Sequence, residues 1–118
     1  RAQCQNNLKQ LALAMHGHQD ATGKLPLLSP NLSDNCCFGT WVVPTLPHLE
    51  QGALAALYRG WGVVDWSNSY FSASNAPVTN SRIRVLTCPA DRPNAPFSGV
   101  TNHNYLVNTG TTGLENSN

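Results

Sequence analysis

The first twenty residues alternate apolar and polar side chains with the period of an α-helix. Cys4, Leu8, Leu11 and Met15 fall at positions i, i+4, i+7 and i+11, which places them on one helical stripe. The residues between them are mostly Leu, Ala, Lys and Gln, which are good helix formers. The pattern predicts a long N-terminal helix whose Leu8, Leu11 and Met15 side chains pack against the rest of the fold.

The end of this helix is marked, whereas its start is not. Gly23 fits a left-handed cap, Lys24 suits the negative end of the helix dipole, and Pro26 prevents continuation. No Ser, Thr, Asp or Asn precedes the periodic run. We therefore expect the native helix to continue upstream, and residues 1–118 to be one domain from a longer precursor.

A second, shorter amphipathic helix is predicted over residues 45–59. Thr45 is a preferred N-cap residue and Pro47 suits the first turn. The apolar positions that follow at helical spacing are Leu46, Leu49, Leu54 and Leu57. Residues 25–40, which separate the two helices, contain the prolines and asparagines of a long loop.

The second half of the chain predicts strands. Residues 82–88, RIRVLTC, alternate charged and apolar side chains as a half-buried strand does. Residues 102–110 carry the strand-favouring run Tyr-Leu-Val, whereas residues 61–80 show no period and indicate a short strand or an irregular surface segment. We expect an α+β fold in which the long N-terminal helix lies on a small antiparallel sheet, with the second helix alongside.

Composition narrows the classes of function. Charged residues make up 11% of the chain, against about 25% in a typical soluble domain. The net charge is +1, and 31 of the 118 residues are Asn, Ser or Thr. Such a surface resists self-association weakly, which favours an extracellular protein or an assembling subunit. The basic residues form no stripe for phosphates, so we expect no nucleic-acid partner.

Candidate catalytic and binding residues are few. His16 and His18 lie on different helix faces, and no nucleophile elbow, phosphate loop or metal-ligand run is present in the sequence, so we do not expect an enzyme. The aromatic residues that could stack on a ligand are Trp41, Trp61, Trp66, Tyr58 and Tyr70. Burial in the fold is the commoner fate of such residues.

Four cysteines make disulfides plausible. An even count in a chain of this composition fits an oxidising compartment, and the spacing does not suit zinc. The sequence by itself leaves three pairings open among Cys4, Cys36, Cys37 and Cys88.

Four blocks of sequence follow one another along the chain: CQNNLKQLALAMHGHQDATGKLP, WVVPTLPHLEQGAL, VLTCPAD and NHNYLVNTG. In this order they resemble a pilin-like family that is abundant in planctomycetes. That family was long described as a domain of unknown function and has also been labelled a putative solute-binding group. The chain departs from the family pattern at Cys36 and Cys37, at His48, where an aromatic is commoner, and by lacking a C-terminal Asp-Gly-x-Ser-Asn block.

The resemblance implies a function. Members usually begin with a prepilin-like leader, a processing site that leaves a methylated N-terminus, and an apolar helix that anchors the subunit in the inner membrane and later in a filament core. It therefore implies a non-enzymatic structural subunit of a type II secretion or type IV pilus-like filament, located in the cell envelope or outside the cell. Its partners would be copies of itself or related subunits. The alternative is an extracellular solute- or glycan-binding module.

The resemblance also bears on the cysteines. Cys4 and Cys88 lie inside family-like blocks, which implies that they pair with each other. Cys36 and Cys37 would then form a vicinal bond, stay reduced or cross-link neighbouring subunits. In the competing arrangement, one of them bonds to Cys4 or Cys88 and fastens the long loop.

Calcium is the one cofactor for which the resemblance suggests a site. Some secretion pseudopilins bind calcium in a loop of the globular domain, and oxygen ligands are what calcium requires. The candidate ligands here are Asp91, Asn94, Asn102 and Asn104. The same residue types are common in turns and caps, so a purely structural role is the alternative.

Overall fold

One long helix dominates the computed structural model, which describes residues 1–28, 37–92 and 95–108. Helix α1 spans Ala2–Thr22 and contains 21 residues. It ends where the sequence predicted, because Gly23 adopts a left-handed conformation with φ of 78° and its N–H donates to the carbonyl of Gln19 at 2.7 Å. The predicted N-terminal helix and its stop signal are thus confirmed.

The remaining helices are short. The α-helices are α2 (Val42–Thr45), α3 (Gly52–Leu57) and α4 (Ala76–Thr79). The 3-10 helices are Leu46–Leu49, Trp66–Asn68 and Arg84–Leu86.

The continuous helix predicted over residues 45–59 is wrong. The chain turns at Glu50, which has a left-handed φ of 59°, so α2 and α3 are separate elements joined by a 3-10 turn. Thr45 does not cap a helix, because its hydroxyl donates back to the carbonyls of Trp41 and Val42. The turn allows Leu46 and Leu49 to reach the core together.

The predicted antiparallel sheet is also wrong: the described residues contain no strand, only an isolated bridge between Phe97 and Val100. Side chains provide the hydrogen bonds that a partner strand would have made. The N–H of Ile83 donates to Nε2 of His103 at 3.2 Å, and the N–H of Cys88 donates to Oδ1 of Asn104 at 3.0 Å. The alternation of residues 82–88 therefore buries Ile83 without a sheet.

The core lies between α1 and the short helices. Leu11 and Ala14 of α1 are buried, and Met15 is partly buried against the same cluster. The other buried members are Trp41, Leu46, Leu49, Val78, Ile83 and Leu86. Leu8 was predicted to be buried but is 53% exposed.

The buried stripe of α1 is displaced by one position from the predicted one. It runs through Asn7, Leu11 and Ala14, so a polar residue takes the place that Leu8 was expected to fill. The described part of the chain contains no helix that is long and apolar enough to cross a membrane.

Candidate functional site

A junction near the start of α1 ties this helix to the second half of the chain. Cys4 and Cys88 form a disulfide with a Cα–Cα distance of 5.0 Å, which confirms the predicted pairing. Cys37 is disulfide-bonded as well, whereas Cys36 lies outside the described residues.

Two hydrogen bonds flank this disulfide. The buried side chain of Asn7 donates through Nδ2 to the carbonyl of Thr87 at 2.9 Å. The hydroxyl of Tyr105 donates to the carbonyl of Cys4 at 3.2 Å. Asn7 was missed by the sequence analysis, although its position three residues after Cys4 places it on the same side of the helix.

Asn104 completes the junction. Its Oδ1 accepts from the N–H of Cys88, and its Nδ2 donates to Oδ2 of Asp91 at 3.1 Å and to the carbonyl of Arg92 at 3.3 Å. Residues from the blocks CQNNL, VLTCPAD and NHNYL therefore meet in one place. We call Cys4, Asn7, Cys88, Asn104 and Tyr105 the helix junction.

The calcium candidates are arranged as a hydrogen-bonded turn. Asn104 presents its amide N–H group to Asp91, and its oxygen is engaged by Cys88. Asn102 donates to the carbonyl of Ala95 at 2.6 Å, and Asn94 lies outside the described residues. Within residues 1–28, 37–92 and 95–108 no group of three His, Cys, Asp or Glu side chains could hold a metal ion. Calcium binding stays a prediction.

Asn75 is fully buried and forms a second centre of polar contacts. Its Oδ1 accepts from the N–H of Arg59 at 2.8 Å, while its Nδ2 donates to three carbonyls, those of Arg59 at 3.0 Å, Asn68 at 2.8 Å and Ser69 at 3.2 Å. One amide side chain thus connects the start and the middle of the irregular segment between α3 and α4 to its end. Nothing in the aperiodic sequence of residues 61–80 singled out this asparagine.

An apolar groove of about 340 Å³ borders the core, and no residue of α1 is among its described lining residues. It is formed by residues near 39–46, 78–83 and 100–106, with the rings of Tyr58 and Tyr70 contributing to its wall. We call this cavity the tyrosine groove. It collects side chains from three distant parts of the sequence.

The aromatic residues predicted to stack on ligands fall in different places. Trp41 is 6% exposed and belongs to the core, although it reaches the tyrosine groove together with Tyr58 and Tyr70. Trp66 is 67% exposed and packs edge-on against Phe38, with ring centroids 5.2 Å apart. The structure therefore does not bring the predicted residues into one stacking platform.

Two aromatic polar groups are buried beside Gly39. The hydroxyl of Tyr58 and Nε1 of Trp61 have no hydrogen-bond partner in the described part of the protein. Burial raises the pKa of Tyr58 to about 12, with a further contribution from Tyr70. A Cβ atom on Gly39 would lie 2.7 Å from Cδ1 of Trp61, so only glycine allows this packing at a φ of 106°.

His103 lines the tyrosine groove and is uncharged at neutral pH. Burial, together with the positive charge of Arg82, lowers the pKa of His103 to about 4. The neutral ring can accept the N–H of Ile83 at Nε2. Protonation would remove this acceptor and place a charge in an apolar wall.

We expect this histidine to make the protein less stable at acidic pH. An unfolded histidine binds a proton below about 6.5, whereas the folded one does so near 4, so the free energy of unfolding rises with pH between these values. Because the ring keeps part of its solvent contact, we expect a loss of about 1 kcal/mol rather than the full value of the shift.

Urea denaturation at pH 4.5 and 7 measures this effect. His103→Gln should flatten the difference between the two pH values, while His16→Gln, on the exposed side of α1, should leave it as in the wild type. Equal pH dependence in His103→Gln and the wild type would contradict the assignment.

The outer surface of α1 carries apolar side chains that contact little of the rest of the chain. Leu8 and Leu13 are 53% and 61% exposed. By the helical period, Leu13 lies on the side of α1 opposite to Leu11 and Ala14. Leu8 lies about 60° from Leu11 around the helix and about 140° from Leu13, so the two exposed leucines sit on different flanks of α1.

These features describe a small, mainly helical domain with a disulfide-fixed N-terminal helix and an uncharged groove. A family model with the short name SBP_bac_10, described as "Protein of unknown function (DUF1559)", matches residues 1–118. The chain belongs to this family. The match confirms the part of the resemblance that concerned a family of unknown function with a solute-binding label. No curated protein and no solved structure matches the chain.

Proposed function

We propose that the chain is a non-enzymatic structural subunit of a type II secretion or type IV pilus-like filament that assembles through α1. The observation that supports this proposal is the one-sided packing of α1 against the rest of the fold. Leu8 and Leu13 remain more than half exposed. In the proposed assembly each of these exposed leucines contacts a different neighbouring copy.

The helix junction supports the same function. Most of the stability of a helix in a protein comes from tertiary packing rather than from propensity, so a subunit that uses one side of its helix for assembly needs a firm attachment on the other. The Cys4–Cys88 disulfide and the hydrogen bonds of Asn7 and Tyr105 attach the first two turns of α1 to the body. Load applied to α1 would then pass to the globular part through a covalent bond.

The low charge of the chain is compatible with close packing of identical subunits. A net charge of +1 produces little repulsion between copies. In the proposed arrangement the precursor is anchored in the inner membrane by an upstream helix, and the mature subunit lies in the cell envelope or outside the cell. Its partners are other copies or related pilin-like subunits.

Substitution of the outer side of α1 tests the proposal in cells that produce the full-length precursor. We expect Leu8→Glu combined with Leu13→Glu to reduce incorporation into sheared surface filaments by about tenfold or more, because charges would be buried between subunits. Immunogold electron microscopy and immunoblots of the sheared fraction measure this effect.

Val63→Glu is the matched control, since Val63 is 59% exposed and belongs to the segment that follows α3 rather than to α1. It should leave incorporation unchanged. The proposal is wrong if the double variant assembles as well as the control does, or if no filament containing the subunit can be recovered from wild-type cells.

A further inference from the structure

We propose that the tyrosine groove binds an uncharged, mainly apolar small molecule. The groove has a volume of about 340 Å³ and is bordered by Trp41, Val43, Tyr70, Val100 and Leu106 among others. This site is separate from the outer side of α1, so the inference does not depend on filament assembly.

The size of the groove favours a small molecule over a protein partner. Ligand sites commonly occupy about 300 to 1,000 Å³, and this groove lies at the lower end of that range. A stable protein interface needs about 800 Å² from each partner, which is a broad surface rather than a narrow cleft. The occupant therefore has the dimensions of one or two rings.

The lack of charged side chains among the described lining residues favours an uncharged occupant. No Asp, Glu, Lys or Arg is among its described lining residues. His103, the one titratable imidazole there, is neutral at pH 7 because its pKa is lowered to about 4. An ion entering this wall would lose its hydration without meeting a charged side chain among the described lining residues.

The composition of the wall indicates what such a molecule would contact. Aliphatic and aromatic side chains form most of it, and Thr40, Thr101 and Asn102 add hydroxyl and amide groups. Thr40 and Asn102 are exposed and Thr101 is half-buried, so these polar groups are in contact with solvent. A flat apolar body with a hydrogen-bonding group at one end matches this arrangement.

Fluorescence titration of the full chain tests the proposal with two dyes. The neutral probe N-phenylnaphthylamine should bind saturably at one site per monomer, and the anionic probe anilinonaphthalene sulfonate should bind at least about tenfold more weakly. Near-ultraviolet circular dichroism recorded on the same samples shows that the protein is folded during the titration.

Two substitutions locate the site. Val43→Arg places a charge in the wall, and Leu106→Arg places one at the edge, where the native side chain is 94% exposed and the fold is therefore not at risk. Val43→Arg should weaken binding of the neutral dye by about tenfold or more, and Leu106→Arg by less, about threefold, because an arginine at the exposed edge keeps its hydration. Val63→Arg, outside the groove, should bind like the wild type, as should the assembly variant Leu13→Glu.

Three results would overturn the proposal: absence of saturable binding of the neutral dye, unchanged binding in both groove variants, or tighter binding of the anionic dye. A dimer that competes with the dye and is lost in Leu106→Arg would also overturn it, by making the groove an interface between copies. If Val43→Arg does not fold, Leu106→Arg alone decides the location.

Discussion

Replacement of both Cys4 and Cys88 by alanine is expected to lower the free energy of unfolding by about 4 kcal/mol. The two residues are 84 positions apart, and a cross-link that closes a loop of this length removes about 4 to 5 kcal/mol of chain entropy from the unfolded state. That amount approaches the entire stability of many small domains, about 5 to 15 kcal/mol. The double variant should therefore be close to unfolded at 37 °C.

Urea denaturation under non-reducing conditions measures this loss. Cys4→Ala and Cys88→Ala alone should each lose about as much as the double variant, because either change breaks the same bond. Asn7→Ala, which removes the neighbouring hydrogen bond to Thr87 but keeps the disulfide, should cost about 1 to 2 kcal/mol. A loss below about 1 kcal/mol in the double variant would show that the disulfide does not secure α1.

The helix junction shows what the sequence could and could not predict. The Cys4–Cys88 pair followed from the position of both cysteines inside family-like blocks, and α1 followed from its period and from Gly23. Asn7 was not predicted, since a polar residue on a buried stripe is recognisable only when its partner, the carbonyl of Thr87, is known. Because Asn7 was not recognised as a buried residue, the apolar Leu8 was assigned to the buried stripe in its place, and it is exposed.

The missing sheet has a related cause. An alternating sequence specifies which side chains are buried, but not what satisfies the backbone between them. In residues 82–88 the N–H groups of Ile83 and Cys88 donate to the side chains of His103 and Asn104, and the carbonyl of Leu86 accepts from the N–H of Asn104, so the partners come from a segment that was also predicted to be a strand. Two segments that read as strands therefore lie next to each other without forming a ladder in the described structure.

The tyrosine groove could be predicted only in part. Its aromatic residues were recognised as candidates, but Tyr58 and Tyr70 come together with residues 100–106 through tertiary contacts that have no local signal. The uncharged character of the wall is visible only after the lining residues are known. Trp66, equally plausible from the sequence, lies at an exposed position outside it.

Asn75→Asp should be among the most destabilising single substitutions in the chain. The native amide group donates to the carbonyls of Arg59, Asn68 and Ser69 from a fully buried position. A carboxylate has nearly the same shape but cannot donate when ionised, so its oxygens would face these carbonyls without water. We expect a loss of about 4 kcal/mol at pH 7, from the buried charge and the unsatisfied carbonyls together.

The pH dependence of this variant identifies the cause. The introduced carboxyl group should have a folded-state pKa well above its unfolded value of about 3.9, because burial and the carbonyls disfavour the charge. The folded state then binds more protons than the unfolded state, so the stability of the variant falls as pH rises from about 4 to 7. Asn80→Asp, at an exposed position at the end of α4, is the matched control and should change stability by less than about 0.5 kcal/mol. If Asn75→Asp unfolds at the same urea concentration as Asn80→Asp at pH 7, the hydrogen bonds of Asn75 do not hold the segment between α3 and α4 in place.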